Sequence, residues 1–215
     1  MILKPSFYQR DDVVSISKEL LGKYIYTSFE GIKTGGIIVE TEAYRAPDDK
    51  ACHAFRNRLT ERTKTMFLKG GTLYVYISYG LHRMINVVTS QEGKAHAILI
   101  RAIEPTIGIQ KILERRNHEV LKYETMNGPG KSAKALGVDT NHDGLFLCNE
   151  ENDIWIEDSG RVVLEDEIQI GPRVGMSIHT GPDAHRPWRF YIKDNKWVSK
   201  PKVVRYPNIP LDELE

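Results

Sequence analysis

Two cysteines, Cys52 and Cys148, are all that the 215 residues contain. That is too few for the disulfide framework of a secreted scaffold, so a reducing, intracellular compartment and no disulfide are expected. Nowhere do eighteen apolar residues run together, and the start, Met1-Ile2-Leu3-Lys4-Pro5-Ser6, has no sustained apolar stretch. Neither a membrane span nor a signal peptide is therefore expected. Net charge is also scarce: 30 basic residues against 29 acidic ones leave +1, which neither favours nor opposes a polyanionic partner. The seven histidines form no H-E-x-x-H pair and no H-x-E with a following P-C-x-x-C, and G-x-S-x-G is missing. Zinc hydrolases, zinc deaminases and serine hydrolases of those patterns lose their support. With no repeat and no low-complexity linker, residues 1–215 read as one large domain, a size that buries roughly 70% of its unfolded surface.

The charge that is present is unevenly placed. Between Glu150 and Glu167, eight acids face the single Arg161. Positive charge gathers instead at Arg56, Arg58, Arg62, Lys64 and Lys69, with only Glu61 opposing, and again at Lys200, Lys202 and Arg205. A basic face beside a cleft is the footprint of a phosphate-backbone binder, although charge runs are more often plain solvated surface.

Periodicity predicts an α+β fold. Asp11 or Asp12 caps a helix carrying Val13, Ile16, Leu20 and Leu21, which Gly22 stops. Strands are expected at Lys23 to Thr27 and Ile37 to Tyr44, separated by turns at Gly31 and Gly35-Gly36, and the polar stretch from Arg45 to Lys69 reads mainly as loop. Leu73 to Ser78, Met84 to Val88 and Ala97 to Ile103 make an antiparallel meander with Tyr79 at a hairpin tip. Pro105 is expected to open a helix containing Ile109, Ile112 and Leu113; a shorter one follows Gly128-Pro129-Gly130 and ends at Gly137. Strand-like pieces lie around Ile154 to Ile156, Val162 to Leu164 and Arg189 to Ile192.

Two motif matches lose force on context. Asp139-Thr140-Asn141-His142-Asp143-Gly144 with Glu150 satisfies a calcium-loop pattern, but Gly137 interrupts the preceding helix and a strand pattern follows, so a polar turn is expected. Thr125 to Ser132 misses a phosphate-loop motif at its first glycine. What remains there is a seat for one phosphate, made of glycine-flexed amides, Lys131 and a helix N-terminus.

The chemistry concentrates on Ile37-Ile38-Val39-Glu40-Thr41-Glu42-Ala43-Tyr44. With a period of two, Glu40, Glu42 and Tyr44 share one face and Ile37, Val39, Thr41 and Ala43 the other. A core tolerates such carboxylates only with partners, whereas a cleft can use them on an aromatic, cationic substrate. Two glutamates about 7 Å apart along a strand fit an inverting O-glycoside hydrolase, whose carboxyl groups stand about 6.5 to 9.5 Å apart. One carboxylate suffices for a base-excising N-glycosylase. The aromatics Tyr74, Tyr76 and Tyr79 beside a basic loop favour the second, sheet-face packing is their bland alternative, and a noncatalytic nucleic-acid-binding module is a third reading.

These segments, together with His53, Met66-Phe67, Gly71 to Gly80, Asn86, Leu99 to Ala102, Asn127 to Lys131 and Arg189 to Tyr191, closely resemble the methylpurine-DNA glycosylase family, also called alkyladenine DNA glycosylases. The resemblance spans roughly Phe7 to Val204. It implies a single mixed domain around a curved antiparallel sheet with flanking helices, monomeric, without cofactor or metal, acting on double-stranded DNA with a damaged purine and on no membrane. Location would be cytoplasmic in a bacterium and nuclear in a eukaryote. Base-excision repair follows: hydrolysis of the N-glycosidic bond of a flipped alkylated or deaminated purine, leaving an abasic site, without lyase activity. Position by position, Glu42 resembles the general base and Arg101 the residue steadying water and carboxylate. Tyr44, His53 and Tyr76 resemble pocket walls, Asn86 a discriminator and Tyr79 a wedge; from the basic stretch and the phosphate seat, Arg62, Lys64 and Lys131 are expected on the DNA. Glu40 reads as a partner for an arginine more readily than as a second catalytic group.

Overall fold

The computed structural model describes residues 1–200; Lys202, Arg205 and the end of the resemblance at Val204 lie outside the described residues. Helices α1 (Pro5–Tyr8) and α2 (Val13–Glu19) come first, then strands β1 (Tyr24–Phe29) and β2 (Ile32–Arg45). Strands β3 (Leu73–Ser78), β4 (His82–Thr89) and β5 (His96–Ile107) follow, then helices α3 (Ile109–Arg116) and α4 (Pro129–Leu136), and strands β6 (Ile154–Glu157), β7 (Ile168–Gly171) and β8 (Arg189–Ile192). The strands form one open antiparallel sheet in the order β3-β4-β5-β2-β1-β6, with β8 on β2 and β7 on β8. The α+β reading holds. Among the described residues, no helix is long and apolar enough to cross a membrane.

Strand β2 is the axis of the molecule. It pairs with β5 on one side and with β1 and then β8 on the other, so nearly all of its length from Thr34 to Ala43 is buried. Both of its faces are covered, yet they differ. Thr41 donates to the Ser17 carbonyl of α2 at 2.9 Å, which turns the Thr41 side toward the helix-covered core of Ile16, Leu20, Ile38, Ile98 and Phe190. Glu40 and Glu42 face the other way, as the alternation predicts, and fully buried carboxylates there must find donors.

Asp12 caps α2 by accepting the Ser15 amide at 3.1 Å, as expected. Four boundaries differ from the sequence expectation. Gly35 and Gly36 lie inside β2, because a Cβ would strike Tyr26 and the Ile25 carbonyl at one and the Glu104 carbonyl at the other: close backbone approach, not a turn, requires them. Pro105 stays in β5, next to a register shift, and α3 starts four residues later. Residues Val162 to Leu164 form no strand, and β7, which the pattern did not reveal, pairs with β8 instead. The acidic stretch surrounds β6, on the sheet edge opposite β3, and is partly neutralised by Lys23 on Asp158 and Lys18 on Glu165.

Candidate active site

Two register shifts between β2 and β5 shape the site. Pairing runs Ile38 to Ile103, Glu40 to Ala102 and Thr41 to Ile100, so Val39 bulges from one strand and Arg101 from the other. The second bulge brings the Arg101 guanidinium between the two carboxylates: its Nε donates to Glu40 Oε1 at 3.0 Å and its Nη1 lies 3.2 Å from Glu42 Oε2. Burial opposes the charge on Arg101, but Glu42 and Glu40 outweigh it and hold its pKa above the usual value.

The two glutamates part company here. Glu40 accepts from Arg101, from Arg189 Nε at 2.7 Å, and from both the amide and hydroxyl of Ser199. It is not among the residues that line the cavity. Glu42 accepts the Tyr44 hydroxyl at 2.8 Å and the Val174 amide at 2.7 Å, and it contributes to the floor of a cavity of about 650 Å³.

The walls come from the meander and the loop before it. Tyr44, His53, Tyr76, Asn86 and Arg101 all line the cavity with Glu42, and Arg62 and Tyr79 stand at its mouth. The His53 and Tyr76 rings meet edge to face, 4.6 Å between centroids, and Tyr74 backs both. Arg62 Nη2 is 3.1 Å from His53 Nε2; because a guanidinium can only donate, Nε2 is the bare nitrogen and Nδ1 carries the proton toward Tyr74 Oη at 3.1 Å. Packing against the wall, and then the Arg62 charge, push His53 down to about 4 even though the residue as a whole keeps contact with solvent. Burial also raises the Tyr76 phenol to about 12, and that of Tyr44, beside Glu42, well above its usual value. The three rings of the walls are thus neutral at physiological pH.

Asn86 is 3% exposed, and its Nδ2 donates to the carbonyls of Tyr74 and Met84. Those two acceptors fix the amide orientation and leave Oδ1 accepting no hydrogen bond among the described residues. Tyr79 tips the hairpin at 87% exposure with φ of 51°, followed by Gly80 at 70°; these two left-handed residues form a turn closed by the Leu81 amide on the Ser78 carbonyl, within a three-residue connection that leaves Ser78 paired with His82. A bulky aromatic in that region is strained, and such strain collects where a side chain must be presented.

Of the three basic residues expected on DNA, Arg62 joins the cavity, whereas Lys64 pairs with Glu61 at 2.6 Å on the surface and Lys131 donates to Asn127 at 2.8 Å. The calcium-like loop is tied up internally: Asp139 caps its own turn and pairs with Arg83, and Asp143 accepts from Thr65 and the Val75 amide. Among the described residues, no three His, Cys, Asp or Glu side chains are grouped to hold a metal ion.

Sequence reasoning missed the segment Arg173-Val174-Gly175-Met176. Arg173 is buried in a bidentate pair with Asp49, caps the carbonyls of Ala43 and Asp183, and lies 4.8 Å from the Tyr44 ring centroid. The next residue, Val174, then reaches Glu42. No local pattern marks this loop, since its partners Glu42, Ala43 and Asp49 sit more than a hundred residues away.

A carboxylate held by an arginine beneath neutral flat rings, with an exposed aromatic at the mouth, defines a pocket for a planar heterocycle attached to a larger polymer. Comparison with known proteins narrows the class. The methylpurine-DNA glycosylase family profile matches residues 6–196, and the chain belongs to that family. Similar chains include one of Clostridium perfringens, 40% identical over 207 residues that cover 93% of this chain and 100% of the relative. One of Bacillus cereus is 41% identical over 202 residues, 91% of this chain and 98% of the relative, and one of Chlamydia felis 40% identical over 196 residues, with the same coverages. Each bears the name "Putative 3-methyladenine DNA glycosylase".

Proposed function

We propose that this protein is a base-excision repair enzyme that hydrolyses the N-glycosidic bond of alkylated or deaminated purines flipped out of duplex DNA, leaving an abasic site. The observation that carries this reading is Glu42 at the cavity floor, anchored by Arg101 and the Val174 amide and roofed by Tyr44, His53 and Tyr76. Flipping costs a few kcal/mol, least for a weakened pair, and Tyr79 at its strained tip fills the gap left in the stack. The extruded base lies between the rings, where a cationic purine gains about 0.5 to 2 kcal/mol from their faces. Asn86 Oδ1, which accepts no hydrogen bond among the described residues, selects among bases by what they present to it.

Glu42 takes a proton from water as that water attacks the anomeric carbon, and its charge supports the oxocarbenium-like transition state. Arg101, 3.2 Å from Glu42 Oε2, orients the carboxylate. Because Arg101 also serves Glu40, Glu42 is not neutralised by a private partner. Lys64 and Lys131 sit on the surface flanking the site, where phosphates can exchange with their present partners; Arg62 belongs to the same basic stretch.

The enzyme works as a monomer and one domain over residues 1–215, without a cofactor, and is intracellular, cytoplasmic in a bacterial host. It is monofunctional: among the described residues no lysine lines the cavity to form a Schiff base, and borohydride should trap no covalent adduct with DNA. An O-glycoside hydrolase of the inverting type needs a second carboxyl group in the cavity, and Glu40 is committed elsewhere. Incubation with a duplex carrying a single methylated purine tests the proposal. Free base and an alkali-labile site are expected; binding without release would leave only a nucleic-acid-binding module.

A further inference from the structure

Among the described residues, the charges that line the cavity or hold its carboxylates balance except at one place. Glu40 and Glu42 are matched by Arg101 and Arg189, and Asp49 by Arg173. Arg62 has no carboxylate partner among the described residues. Its guanidinium instead lies 5.0 Å from the Tyr76 ring centroid and donates to His53. Two walls of the base slot therefore carry one uncompensated positive charge, held in place by a ring nitrogen that must stay unprotonated to accept from it.

We infer that Arg62 is a specificity-determining residue that turns the pocket from cationic purines toward neutral ones. The inference rests on the glycosylase reading above. Rings alone favour a base made cationic by alkylation. Arg62 counters that preference twice: its charge repels a cationic base as it enters, and it already occupies the attraction that the Tyr76 ring offers to cations. For a neutral base the effect is reversed. When the N-glycosidic bond breaks, the electron pair goes to the purine, so a neutral purine gains negative charge in the transition state while a cationic one merely becomes neutral. A fixed guanidinium at the wall stabilises the first departure and not the second. Both effects act in one direction on kcat/KM, and the positive charge that develops on the sugar is common to both substrates, so it cancels in their ratio.

The test uses the full chain on two duplexes of identical sequence, one carrying hypoxanthine, which is neutral, and one carrying 7-methylguanine, which is cationic. Single-turnover rates, duplex affinity and its salt dependence are measured for the wild type, Arg62→Gln and Arg62→Lys. Arg62→Gln should raise the ratio of 7-methylguanine to hypoxanthine excision, as kcat/KM, by about tenfold, and Arg62→Lys should hold it within about threefold of wild type because the charge stays. Equal losses on both duplexes, with the salt slope reduced by about one, would assign Arg62 to a phosphate and overturn the inference. A ratio moving toward hypoxanthine would overturn it as well. Wild-type protein that released neither base would sink the glycosylase reading itself, a result distinct from either.

Discussion

Val174 donates its backbone amide to Glu42 Oε1 at 2.7 Å, joining residues 132 positions apart in the chain. The other carboxylate oxygen faces Arg101, so both ends of Glu42 meet groups that can only donate. An amide cannot satisfy both. Glu42→Gln should therefore lower excision by at least 10² to 10⁴-fold, the usual worth of a general base, and also destabilise the fold by roughly 1 to 3 kcal/mol. Single-turnover kinetics and thermal unfolding check the two separately. Affinity for a damaged duplex should stay near wild type; if it collapsed in step with the rate, Glu42 would be structural.

Glu40→Gln is the necessary comparison. Its carboxylate holds Arg101, Arg189 and Ser199 without lining the cavity, so the variant should lose stability more than rate. Excision reduced as severely as in Glu42→Gln, at unchanged melting temperature, would restore the two-carboxylate mechanism.

The loop that carries Val174 depends on Arg173 and Asp49, which are both fully buried. Removing one charge leaves the other buried without a counter-charge, at a cost of about 3 to 5 kcal/mol. Asp49→Asn should accordingly lower the unfolding midpoint by ten degrees or so at roughly 2 to 4 °C per kcal/mol. Denaturant or thermal melts decide; an unshifted midpoint would mean that the loop is held by other contacts.

How far the chain discloses this site depends on sequence distance. The alternation around Glu40 and Glu42 was legible because a strand has period two, and Tyr79-Gly80 because a tight hairpin leaves few alternatives. The family resemblance added His53, Asn86 and Arg101, which no local pattern marks as functional. The alternation alone did not say which glutamate faces the cavity; the resemblance pointed to Glu42, and the physical reason lies in donors on β5, β8 and Ser199 that fold back onto Glu40 from distant positions. The latch of Arg173 on Asp49 stayed hidden for the same reason. Gly35 and Gly36 misled in the opposite way: glycine marks a turn or a close approach equally well, and only the packing of Tyr26 and Glu104 distinguishes them.

Tyr79 offers a trade between stability and function. A left-handed aromatic costs about 1 to 2 kcal/mol, and asparagine tolerates that region far better. Tyr79→Asn should raise the melting temperature by roughly 2 to 4 °C while lowering excision from duplex DNA, with excision from single strands little changed. Equal rates on duplex for wild type and variant would remove the wedge assignment.

His53 makes stability depend on pH with a defined sign. Its folded pKa is depressed to about 4, whereas an unfolded histidine takes a proton near the ordinary value of about 6.5. Between those two values the unfolded chain binds the extra proton, so stability rises with pH across that window and falls as acid is added. Above it the imidazole is neutral in both states and contributes no slope. His96, also lowered by burial, acts in the same sense, so the informative quantity is the difference between wild type and His53→Gln. Melting temperatures measured from pH 7.5 to 4 should show the wild type losing stability more steeply below about 6.5 than the variant does. Parallel curves would mean that His53 titrates normally and that Arg62 does not hold it neutral. The catalytic consequence follows from the same proton: once His53 is charged, its Nε2 turns from acceptor to donor and repels Arg62, so the wall should open and excision should decline as the pH approaches 4.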